Sequence, residues 1–133
     1  MDTELEHARA LVVKAGMQSF QRVNSAYEAT AHALFPVVKI AIDNIEPIVR
    51  GPGVHTFVED RALAILSAIK FGILLPPVLV YSWSSAAYEY KLYDGFHRYY
   101  ISLALGFSEI FVGVNPWKPE NAATPGLDSG KGL

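Results

Sequence analysis

The chain has 133 residues, which suits one domain at the usual ~100–200 residues per domain and is long enough to bury a core without staples. Hydrophobic residues make up 51% and charged residues 18%, which excludes wholesale disorder, and with no cysteine there are no disulfides, thiolate zinc sites or cysteine nucleophiles. The net charge of -2 lacks the basic excess of proteins that grip nucleic acid by its backbone.

Residues 3–35 read as two helices with a break near Val23-Asn24, or as one helix kinked there. Thr3 with Glu6, and Ser25 with Glu28, have capping-box spacing, and Leu5, Ala8, Val12 and Ala15 form one apolar stripe. Pro36 ends the second helix, because proline disfavours helix in the residue before it. That stripe suits either the chain's own core or a second copy. In VVKIAI, residues 37–42, Val38, Ile40 and Ile42 alternate as in a strand. The Pro and Gly residues of IEPIVRGPG mark a loop.

Thr56 and Glu59 give a third capping box, and Val58, Ala62, Ile65, Leu66 and Ile69 then define a helical face that stops at Gly72. VLVYSW after Pro76-Pro77 and YEYKLYD form a hairpin; HRYYISLAL is a helix ending at Gly106, and IFVGV is the last strand. Residues 115–133 read as a loose tail. No apolar run reaches the ~18 residues of a membrane span, and MDTELEHARA is unlike a signal peptide, so a soluble cytoplasmic protein is expected.

One stretch carries chemistry. In YDGFHRYYISLALGF a strand runs through Asp94-Gly95 straight into a helix. Such a junction aims free N–H groups and the positive end of the helix dipole at one spot, which suits an anion. Gly95 lets a ligand approach the backbone, Arg98 offers a planar fork for phosphate oxygens, and His97 can donate to the anion or move a proton. The plainer reading stands beside this one: Asp94 caps the helix, His97 sits on the surface, and Arg98 pairs with Glu89 or Glu109.

The order of elements, with LLPPVLVY, KLYDGFHRYYISLALGF and IFVGV, resembles the ParB/sulfiredoxin superfamily over about residues 37–114. The resemblance implies an α+β fold: a small mixed-sheet domain at 37–114, an N-terminal helical arm at 1–36 and a flexible tail at 115–133. It implies that Gly95, Phe96, His97, Arg98 and Tyr99 hold a nucleotide phosphate, with Mg2+ as the accompanying ion. By looser matches it adds Arg50 as a phosphate contact and Glu46 as an acidic catalytic residue beside His97. Phe96 stands where sulfiredoxins carry their cysteine, so sulfiredoxin chemistry is excluded. Partition proteins of this family continue into DNA-binding and dimerisation parts for which this sequence has no room, so a complete partition protein is not expected.

Other residues carry less. His7, His32 and His55 form no metal spacing, and Asp43, Glu46, Glu59 and Asp60 read more simply as helix-terminal or solvated carboxylates than as ligands of a divalent ion. The aromatic strands suit core packing, with Phe96 and Tyr99 expected to flank the phosphate. Two functions follow: a domain that binds a nucleotide or nucleic-acid phosphate, with nuclease or phosphotransfer activity, or a non-catalytic nucleotide- or anion-binding module. The expected partners are a phosphate ligand, with nucleic acid disfavoured by net charge, no membrane, and a second copy met through the N-terminal helices.

Overall fold

The computed structural model describes residues 3–48, 57–82, 85 and 87–116. Among the described residues the chain forms five strands: β1 (Val37–Ala41), β2 (Ile45–Glu46), β3 (Val78–Ser82), β4 (Tyr90–Asp94) and β5 (Glu109–Asn115). They form one mixed sheet in the order β1-β5-β3-β4-β2. β1 runs antiparallel to β5, β5 parallel to β3, β3 antiparallel to β4, and β4 parallel to β2. Register puts Val78 beside Val112 and Val80 beside Leu92, and all four are fully buried.

The described helices are α1 (Thr3–Lys14), α2 (Glu59–Lys70) and α3 (Phe96–Leu105). Their apolar residues join the strands in one core, in which Ile45, Leu66, Ile101 and Ile110 are fully buried. α1 packs on α3 and α2. Its stripe, with Ala8, Leu11 and Val12 buried, is therefore spent inside the chain's own core. None of the described helices is long and apolar enough to cross a membrane.

Three expectations need correction. The second N-terminal helix is absent: after α1 the chain is irregular up to Pro36. Among residues 25–35 only the neighbours Ala26 and Tyr27 are buried, and adjacent positions do not share a helical face. The backbone there pairs with distant segments instead. Thr30 N–H donates to Leu75 O at 2.9 Å, Leu75 N–H to Glu28 O at 3.2 Å, and Glu109 N–H to Ser25 O at 3.0 Å. Ser25 Oγ donates to Glu109 Oε1 at 2.7 Å rather than capping a helix.

The segment read as a loop after the first strand begins with β2, because Ile45 and Glu46 pair with Tyr90 and Lys91. Val58 is the N-cap of α2, with no side-chain cap. Thr56, the expected cap, lies outside the described residues, as do Arg50, His55 and residues 117–133.

Candidate anion site

β4 delivers the chain to Gly95, which turns it into α3 in a left-handed conformation (φ 104°). A Cβ here would meet Val78 Cγ1 at 2.6 Å and Arg98 Nη2 at 3.1 Å, so glycine is required for both conformation and space. The N-cap is Gly95, which has no side chain with which to cap the helix, and the first bond of α3 is Tyr99 N–H to Gly95 O at 2.9 Å. The N–H groups of residues 96–98 precede that bond and form the positive end of α3.

Arg98 lies over this helix start with its side chain only 15% exposed. Its Nη1 donates to Pro76 O at 3.0 Å and Pro77 O at 3.2 Å, and Nη2 reaches Asp94 Oδ2 at a long 3.5 Å. A guanidinium has five N–H donors. The Nε–H and one Nη2–H have no hydrogen-bond partner among the described residues. The proline carbonyls thus anchor the fork from behind. The expected pairing with Glu89 or Glu109 does not form, since Glu89 meets Asn44, and Glu109 meets Ser25 and Lys39.

Tyr93, Asp94, Gly95, Phe96, His97 and Arg98 line a hollow of about 150 Å³, joined by Ile48, Arg61 and Ile65. That volume is below the ~300 Å³ where small-molecule pockets begin, and it suits a phosphate group rather than a whole nucleotide. Arg61, in the first turn of α2, is the residue that sequence reasoning missed. Its only signal was a position near a helix start, and an exposed arginine there looks like any solvated residue. A larger hollow of about 410 Å³ lies between residues 20–28 and the end of α2. It has one lysine, Lys70, and no helix N-terminus.

His97 is buried, and its Nε2 accepts the Val58 N–H at 2.9 Å. The starts of α2 and α3 are therefore tied together. An Nε2 that accepts carries no proton, which places the ring's hydrogen on Nδ1. Phe96 and Tyr99 are core residues. Phe96 packs on Phe57 and Tyr100, and Tyr99 meets Tyr100 edge-on. Glu46 lies on β2, where Lys91 Nζ donates to its Oε2 at 3.3 Å, and it does not line the hollow. Glu59 pairs with exposed Lys14. His7 packs edge-on against Phe57, and His32 accepts the Leu34 N–H at 3.0 Å. The structure thus brings together Gly95, Phe96, His97 and Arg98, adds Arg61, and sets Glu46 and Tyr99 apart from them.

Behind the hollow, the buried Tyr27 donates from its hydroxyl to Pro76 O at 2.7 Å. Burial raises its phenol pKa above the ordinary range, against a smaller lowering by Arg98.

No sequence-family model and no curated protein matches the chain. Among solved structures it is similar to the C-terminally truncated chromosome-partitioning protein ParB from Caulobacter crescentus complexed with CTP-gamma-S. The match has 20% identity and a TM-score of 0.50 and covers 63% of this chain. The chain has a ParB-like fold. A second structure of that ParB, bound to the centromeric parS site, aligns at 19% identity over 62% of this chain and 41% of that one, with a TM-score of 0.47. This ParB-like chain spans just under half (46%) of the CTP-gamma-S-bound ParB chain.

Proposed function

We propose that this ParB-like domain binds the phosphate groups of a nucleotide, a nucleoside triphosphate in the first instance, at the start of α3. One observation carries the reading. Arg98 is nearly enclosed, anchored by two carbonyls, and keeps unspent donors over a helix N-terminus whose N-cap is glycine. An anion there meets fixed backbone dipoles and a prepositioned fork, with little reorganisation on binding. Arg61 adds a second positive charge from α2. Arg50, outside the described residues, is assigned a third from the family resemblance alone. The CTP-gamma-S bound by the similar ParB makes CTP the first ligand to try.

Mg2+ usually arrives with phosphates and one or two carboxylates. Asp94 is the carboxylate that lines the hollow. The non-catalytic reading is preferred over nuclease or phosphotransfer chemistry, because His97 Nε2 is engaged by a backbone donor and Glu46 is paired with Lys91 away from the hollow. The net charge of -2 also disfavours extended contact with a nucleic-acid backbone.

The test is a melting-temperature screen of wild type and Arg98→Ala against CTP, ATP, GTP, UTP and inorganic tripolyphosphate, each with and without Mg2+. A ligand bound only to the folded state stabilises it by about 2.7 kcal/mol at a hundredfold excess over Kd. At least one compound raises the wild-type temperature and leaves Arg98→Ala unmoved, and the nucleotide is recovered intact. A wild type indifferent to every compound overturns the reading.

A further inference from the structure

The segment between α1 and β1 has no place in the reading so far, yet it reaches the back of the site. Residues 28–30 pair with Leu75 through two backbone hydrogen bonds of 2.9 and 3.2 Å. Next to them Tyr27, 4% exposed, places its hydroxyl 2.7 Å from Pro76 O. Arg98 Nη1 reaches the same oxygen at 3.0 Å. A carbonyl oxygen has two lone pairs, and here both are used, one by the phenol and one by the guanidinium. Neither Pro76 nor Pro77 has an N–H, so no hydrogen bond from its own nitrogen holds either peptide in place. The external bond from Tyr27 orients the Pro76 carbonyl.

We propose that Tyr27 is a positioning residue for the anion site: its hydroxyl fixes the Pro76 carbonyl, and that carbonyl fixes the Arg98 fork over the start of α3. The proposal rests on the phosphate-binding reading above and gives the N-terminal segment a part in it. Tyr27 does not touch the ligand. It sets the orientation in which Arg98 meets it. Burial keeps the phenol protonated, so the bond persists across the ordinary pH range.

Tyr27→Phe removes one oxygen and leaves the ring to fill its buried place. The experiment measures CTP and tripolyphosphate affinity, with Mg2+, for wild type, Tyr27→Phe, Arg98→Lys and the double variant, each well below its melting temperature. Arg98→Lys keeps a charge but loses the two-carbonyl anchor. Tyr27→Phe weakens binding about three- to tenfold, the range expected for one lost hydrogen bond. In the Arg98→Lys background the same change costs less than about twofold, because a residue acting through Arg98 is non-additive with it.

A Tyr27→Phe variant that binds as well as wild type, or better, overturns the proposal while leaving the phosphate site standing. So does an equal loss in both backgrounds, the mark of a merely structural role. A wild type that binds neither compound overturns both.

Discussion

Gly95 decides whether a site exists at all. With a φ of 104° and Val78 Cγ1 2.6 Å from a would-be Cβ, it admits no side chain without moving β3. Gly95→Ala combines left-handed strain with overpacking, together roughly 2–5 kcal/mol. Urea unfolding should show a loss of that size, and a change below about 0.5 kcal/mol would contradict this account of the turn. The glycine was legible in the sequence because Asp-Gly sits between an alternating strand and a helix. The anchor of Arg98 was not, since carbonyls 21 and 22 residues away leave no local pattern. The same holds for Arg61, which reaches the hollow only through the packing of α2 against α3.

At the level of elements, α2 and α3 start against each other. His97 supplies the link, taking the Val58 N–H that a capping side chain would otherwise satisfy. His97→Ala leaves that donor without its partner and removes a ring packed against Phe57. It should lower the unfolding free energy by about 2–4 kcal/mol. A melting curve superimposable on wild type would contradict the structural role assigned here. Strands and helices with a strong period were readable: α2, α3 and β5 fall where alternation or a three-four repeat places them. Residues 25–35 misled because a capping-box spacing and several alanines favour helix locally, whereas Ser25, Glu28 and Thr30 find backbone partners on Glu109 and Leu75.

Across the whole molecule, the N-terminal segment packs on the elements that follow it. α1 closes the core with Ala8, Leu11 and Val12, and Arg22 Nη1 donates to Leu105 O at 3.0 Å, at the far end of α3. Tyr27 meets the Pro76 carbonyl that anchors Arg98. The helix bearing the proposed site is thus linked to one continuous stretch of chain both at its last turn and through Arg98. The mixed-sheet α+β fold was legible because the succession of elements resembles the ParB/sulfiredoxin superfamily, whereas the strand order, with the short β2 at one edge, was not. The use of α1 as core was undecided in the sequence, because an apolar stripe looks the same whether its partner is the chain itself or a second copy.

The central claim is that an anion sits on the backbone at the start of α3. Titrating tripolyphosphate into isotopically labelled protein and following its amide resonances tests this most directly. The account predicts the largest shifts at Gly95, Phe96, His97 and Arg98, with Arg61 responding and all of them silenced in Arg98→Ala. Saturable binding whose shifts fall elsewhere, or an unperturbed spectrum, would contradict it.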